Sequence, residues 1–194
     1  MRAFISIFPP KEILPTFRET QDILEKKYRG YFRCVRVDQI HLTIRFLGEV
    51  DHKKIEDYSK ILCSKVSSIP QFNLRLHEAG FGFRDQRNPR IIFISVMRAK
   101  GLLDISKGVE TTIQSVFEED EVYQETQPDM IYHFTLARAK RRVPSKMIKS
   151  IRHFLSKVTI GDGFMLNDIY IVKSELFRAG SSYTVLKRCT LHEL

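Results

Sequence analysis

The chain has 194 residues, 43% of them hydrophobic and 28% charged, the balance of a globular domain rather than of a disordered or fibrous chain. Lys plus Arg number 32 against 23 Asp plus Glu, a formal charge of +9, which favours polyanions such as nucleic acid or anionic lipid as partners when it is not surface charge kept for solubility. No run of 18 uncharged apolar residues is present to span a membrane, and the short opening run lacks the cleavage site of a secretory signal. Three widely spaced cysteines, Cys34, Cys63 and Cys189, argue against a disulfide framework or zinc knuckle and for a reducing cytoplasm.

Residues 3–8, AFISIF, form an apolar run stopped by Pro9 and Pro10 and predict a strand. From Lys11 to Tyr28 the residues Ile13, Leu14, Phe17, Leu24 and Tyr28 fall at helical spacing, and Gly30 ends the pattern. RCVRV and QIHLTIRFL then predict strands. Asp51 is a suitable N-cap for a second helix, with Ile55, Tyr58, Ile61, Leu62 and Val66 on one face. FNLRLHEAGFGF alternates before its glycines, RDQRNPR reads as a loop, and IIFISV reads as a buried strand. Leu102, Ile105, Val109, Ile113, Val116 and Phe117 mark a third helix, and the polar stretch from Glu118 to Asp129 a loop. Residues 130–137 predict another strand. A fourth helix follows Pro144 and Ser145, carried by Met147, Ile148, Ile151, Phe154, Leu155 and Val158. The tail, FMLNDIYIVKSELF and SSYTVLKRCTL around Gly180, reads as one β-hairpin. Four helices among about eight strands, with no low-complexity linker, give an α+β chain organised as one unit of two similar lobes.

One phrase occurs twice. HLTI at 41–44 and HFTL at 133–136 each repeat a histidine, an apolar residue, a threonine and an apolar residue, 92 residues apart. In a strand, residues two apart share a face, so His41 and Thr43 project one way and Leu42 and Ile44 the other. His133 and Thr135 do likewise, opposite Phe134 and Leu136. If the two strands lie side by side, two imidazoles and two hydroxyls face one site. Imidazoles near a pKa of about 6.5 can act as a general base and a general acid at neutral pH. Hydroxyls can donate to non-bridging oxygens where charge builds in a transition state. Metal-free phosphodiester cleavage needs such a pair on opposite sides of phosphorus. Zinc is less well served, because two histidines are too few ligands and no Asp, Glu or Cys recurs with the phrase.

At these residues the chain resembles the 2H phosphoesterase superfamily, and more closely the RNA 2′,3′-cyclic phosphodiesterases, historically called 2′-5′ RNA ligases. VRVDQIHLTIRFLGEVD, with Phe46, Leu47 and Gly48, is similar to the family's first motif block. YHFTLARAK is similar to the second, MRAFISIFPPKEI to the opening strand and helix, and SELFRAGSSYTVL to the closing hairpin. One position departs: the family's proline before the second histidine is Tyr132 here.

The resemblance implies one bilobal domain over residues 1–194, two antiparallel sheets facing a central groove with helices outside. It implies a cytoplasmic, monomeric hydrolase that needs no cofactor or metal. Its substrates would be RNA or nucleotides ending in a 2′,3′-cyclic phosphate, converted to 2′-phosphomonoesters. By the same resemblance His41 is the proton donor, His133 the proton acceptor, and Thr43 and Thr135 hold the phosphate oxygens. The near symmetry of the residues leaves open which histidine is which.

Strand parity adds Arg45, four residues after His41, to the catalytic face, and points Arg138, five after His133, away from it. Both are candidate phosphate contacts, with Arg45 the stronger; Phe4 and Phe46 are candidates to stack on a base, against core packing as the commoner role for both. The densest basic run, ARAKRR at 137–142, suits an RNA backbone or a solvated loop. Two rival functions share the same residues: 2′-5′ ligation by the reverse reaction, and a non-catalytic basic RNA-binding module.

Overall fold

A computed structural model describes residues 1–82, 88–118, 121–122, 131–177 and 180–193. Its elements run β1 (Arg2–Ile7), α1 (Leu14–Lys27), β2 (Phe32–Cys34), a 3₁₀ turn (Val37–Gln39), β3 (Leu42–Glu49), α2 (His52–Val66), β4 (Phe72–Phe81) and β5 (Ile91–Val96). They continue with α3 (Lys100–Val116), β6 (His133–Ala139), α4 (Ser145–Leu155), β7 (Gly163–Leu166), β8 (Asp168–Phe177) and β9 (Gly180–Thr190). Local signals account for most boundaries. Asp51 caps α2 by accepting from the backbone N–H groups of Lys53 and Lys54, which would otherwise lack partners. Pro15 opens α1, where its missing N–H costs nothing.

The strands form one curled antiparallel sheet in the order β7-β4-β5-β6-β3-β1-β8-β9, with β2 beside β6. It divides into two four-stranded halves, β7-β4-β5-β6 and β3-β1-β8-β9. The halves meet at one residue pair, Leu42 with Phe134, in which the buried residues of the two repeated phrases lie opposite each other. Beyond that pair β3 and β6 part, and β2 takes over the edge of β6, pairing Cys34 with Ala137, Arg33 with Arg138 and Phe32 with Ala139.

The two halves share a register. On β3, Leu42, Thr43, Arg45 and Phe46 pair with Ile7, Ser6, Ile5 and Phe4 of β1. On β6, Phe134, Thr135, Ala137 and Arg138 pair with Ile94, Phe93, Ile92 and Ile91 of β5. Each motif strand therefore carries a β-bulge three residues after its histidine, with Ile44 and Leu136 as the extra residues. A bulge puts two residues opposite one and reverses the in–out alternation beyond it.

The helices cover the face that carries Leu42 and Phe134. Phe17 of α1 packs on Phe134, with ring centroids 5.4 Å apart, and Tyr58 of α2 packs on Phe117 at 5.6 Å. One core joins β1, β3, α2 and α3 through residues such as Ile5, Leu42, Leu62 and Ile105. A second joins the end of α1 to α4 through Leu24, Tyr28, Ile92, Ile148 and Ile151. Each such side chain contributes roughly 1.5–3 kcal/mol relative to exposure. This fixes the Leu42/Phe134 face inward and leaves the opposite face for His41, Thr43, His133 and Thr135.

Two expectations are corrected. The tail is a hairpin of β8 and β9 only; β7 splits off at Asn167 and pairs with β4. Gly163 makes that approach possible, since at φ +129° a Cβ there would run into the backbone of Leu74 and Arg75. The cysteines are also not all reduced: Cys63 of α2 and Cys189 of β9 form a disulfide with Cα atoms 4.7 Å apart. A separation of 126 residues hides this pair from any count along the chain, because it depends on α2 lying against β9. Cys34 remains a free thiol, pushed up to about 12 chiefly by burial. The predicted loop from Glu118 to Asp129 lies mostly outside the described residues, as does most of RDQRNPR.

Candidate active site

The two histidines are held the same way. His41 Nδ1 lies 2.8 Å from the carbonyl oxygen of Gln39, and His133 Nδ1 lies 2.7 Å from that of Ile131. A carbonyl only accepts, so in each ring Nδ1 carries the hydrogen and Nε2 is left to take or give a proton. In both cases the acceptor is two residues back along the chain. What anchors it differs. On the first side, Gln39 donates its side-chain amide to the carbonyl of Ser181 at 2.7 Å. On the second, Tyr132, which stands where the resemblance leads one to expect proline, is buried and hydrogen-bonded through its hydroxyl to Ser106 of α3 at 2.5 Å. Its carbonyl accepts from Val96 N–H at 3.0 Å. A tyrosine tied to a helix thus supports the chain entering β6.

Both imidazoles are held below their ordinary pKa, first of all because burial disfavours the imidazolium form. The hydrogen bonds to Gln39 and Ile131 act in the opposite direction and are outweighed. The positive charge of Arg138 lowers both rings further, and protonation of His133 lowers His41. One arginine therefore sits within electrostatic reach of both imidazoles, and the imidazoles within reach of each other.

That arginine is the one strand parity points away. The bulge at Leu136 buries both Leu136 and Ala137 and returns Arg138 to the face of His133 and Thr135, where it is exposed. The matching bulge at Ile44 has the reverse effect on Arg45. Ile44 and Arg45 are both buried, and Arg45, 6% exposed, pairs through Nε with Glu110 of α3 at 2.8 Å. Its Nη1 donates to the carbonyl of Phe46. Arg45 thus faces the helices and not the groove. Phe46 comes round to the His41 face and is 46% exposed.

The surroundings of the two rings are unlike. His41 is walled by Phe4 at 4.9 Å, Tyr183 at 5.1 Å and Phe8 at 6.1 Å between ring centroids, and Phe46 adjoins Phe4 at 6.2 Å. His133 meets Phe93 edge-on at 5.7 Å. Phe8 and Tyr183 are absent from the sequence-level candidates; they reach His41 through the pairing of β1 with β3 and the return of β9, which no local pattern encodes. Among the described residues, no three His, Cys, Asp or Glu side chains gather into a group that could hold a metal ion, and no helix is long and apolar enough to cross a membrane.

Residues 7–93 match the family described as LigT like Phosphoesterase. An RNA 2′,3′-cyclic phosphodiesterase of Thermus thermophilus is 28% identical over 98% of this chain and 90% of its own length. One of Thermotoga maritima is 28% identical over 97% and 95%. The crystal structure of the Thermus thermophilus protein TT0787 superposes with a TM-score of 0.81 at 26% identity, covering all of this chain and 99% of that one.

Proposed function

We propose that the chain is a LigT-like phosphoesterase, the family that its residues 7–93 match, and that it opens 2′,3′-cyclic phosphates at RNA ends to leave 2′-phosphomonoesters, without a metal. The single observation that carries the reading is the matched pair of imidazoles, each with Nδ1 fixed by a carbonyl two residues back, which makes Nε2 the nitrogen that exchanges a proton. The names of the relatives supply the substrate class.

In the reaction, a water oxygen bonds to phosphorus as its proton passes to Nε2 of His133. The bond from phosphorus to O3′ breaks on the far side, and O3′ takes the proton held by Nε2 of His41. Thr43 and Thr135 donate to the non-bridging oxygens, and Arg138 offsets the charge that builds on them. The positioned acid and base contribute about 10²–10⁴ in rate each. The aromatic wall supports His41 as the acid, because the leaving oxygen belongs to the nucleoside, and a nucleoside is served by Phe4, Phe46 and Tyr183 as neighbours. Water needs no such wall, which suits the His133 side. The partly buried imidazoles hold a proton less readily than a free histidine, and an anionic phosphate between them raises their affinity for it. Arg45, paired with Glu110 on the helix side, is assigned no substrate contact.

The test is ³¹P NMR of a short RNA ending in a 2′,3′-cyclic phosphate, in excess EDTA. Conversion of the cyclic resonance to that of a 2′-monoester is the expected result. An unchanged spectrum with RNA bound would make the protein a binding module, and conversion abolished by EDTA would give the site a metal.

A further inference from the structure

We infer that Arg33 binds the phosphodiester next to the cyclic end, so that an oligonucleotide and not a single nucleotide is the preferred substrate. The inference rests on the hydrolase reading above and adds a second phosphate site to it. Arg33 lies on β2, directly across the ladder from Arg138 of β6. Paired residues on neighbouring strands project to the same face, about 4.5–5.5 Å apart at Cα. Phe32 and Ala139, one position along, are both buried in the core, so Arg33 and Arg138 both face the groove, and both are exposed.

Like charges set directly opposite each other destabilise a ladder. Three exposed arginines of this chain are paired with carboxylates, Arg36 with Asp38 at 2.6 Å, Arg188 with Asp168 at 2.7 Å and Arg18 with Asp22 at 3.1 Å. Among the described residues no carboxylate pairs with Arg33 or Arg138. Two cations are thus held side by side on one ladder, a pair suited to two phosphates of one strand. Arg138 is the one whose charge reaches both imidazoles and serves the cyclic phosphate. Arg33 is its lateral neighbour on the chain segment that runs through the 3₁₀ turn to His41, the side on which the leaving nucleoside sits. Arg141, stacked 4.0 Å over the ring of Tyr31, extends the basic track outward from the same ladder.

Two substrates separate this from a general electrostatic effect: a nucleoside 2′,3′-cyclic phosphate with a 5′ hydroxyl, and a trinucleotide ending in the same cyclic phosphate. The wild type is expected to prefer the trinucleotide in kcat/KM, and Arg33→Gln to reduce that preference about tenfold, mainly through KM. Arg33→Lys should restore part of it. A preference that survives Arg33→Gln, or equal losses on both substrates, overturns the inference. Fluorescence anisotropy with a trinucleotide ending in a 2′-monophosphate reads the same contact without turnover. There Arg33→Gln should weaken binding and lower the slope of log Kd against log salt by about 0.7, and an unchanged slope overturns the inference. If the wild type hydrolyses neither substrate, the hydrolase reading fails, and the anisotropy alone decides whether Arg33 holds a phosphate.

Discussion

β3 and β6 repeat each other through histidine, threonine and bulge, and differ at the residues the bulge redirects. Two positions after its threonine, β3 has Arg45, turned inward to Glu110, and β6 has Ala137, turned inward to the core. At the next position β3 presents Phe46 to the groove and β6 presents Arg138. The scaffold is thus duplicated while its two ends are made unlike, aromatic around His41 and cationic beside His133. A pair of identical half-sites would bind phosphate in two equivalent orientations. On the proposed reading, unlike ends would give the substrate one direction, base toward the rings and phosphate toward the arginines, and that direction would assign acid and base to two histidines with the same hydrogen bonding.

The largest effects should come from the shared part. His41→Ala and His133→Ala are each expected to lower kcat by about 10²–10⁴ in steady-state assays. Equal and small losses would mean that the imidazoles only contact phosphate.

The pH dependence follows from the burial of both rings. With both pKa values below 6.5 in the free enzyme, the form holding one proton between the two imidazoles is most abundant on the acid side of 6.5. The profile of kcat/KM against pH should be a bell centred there, falling about tenfold per unit on the alkaline limb. The same shifts act on folding. Below 6.5 the unfolded chain binds more protons than the folded one, so stability is fully present above 6.5 and is lost as pH falls through the depressed values. Chemical denaturation of wild type and of His41→Ala/His133→Ala across that range should show the variant losing less.

The next contrast separates the two arginines. Arg138→Gln is expected to lower kcat/KM about tenfold or more with little change in melting temperature, because the side chain is exposed and, on the proposed reading, meets the phosphate. Arg45→Leu should do the opposite, costing about 1–2 kcal/mol of stability with kcat retained, since it removes a buried guanidinium from a half-exposed Glu110. The smallest effect is expected for Phe46→Ala, a rise in KM of about tenfold for base-bearing substrates, measured against a ribose phosphate that lacks the base.

These arginines also mark where the sequence stops being legible. The histidines and threonines were readable because the strand period of two holds for the four residues of each phrase, and the helices because apolar spacing and caps are local. Arg45 and Arg138 exchanged roles because a β-bulge has no unambiguous local signature: IRF alternates, the small Ala137 of LARA suits either face, and only pairing with β1 and β5 shows the extra residue. Arg33 was invisible as a site residue for a related reason. RCVRV reads as a strand, but its register against β6 is a tertiary fact. The disulfide and the ring of Tyr183 depend on where β9 returns, a contact across more than a hundred residues.

The most direct test of the division of labour replaces the bridging 3′ oxygen of the cyclic phosphate by sulfur, whose thiolate leaves without being protonated. His41→Ala should then recover most of the wild-type rate on the sulfur substrate while His133→Ala stays impaired, because only the base is still required. Recovery by His133→Ala instead, or by neither variant, would contradict the assignment of the acid to the aromatic end and the base to the cationic one.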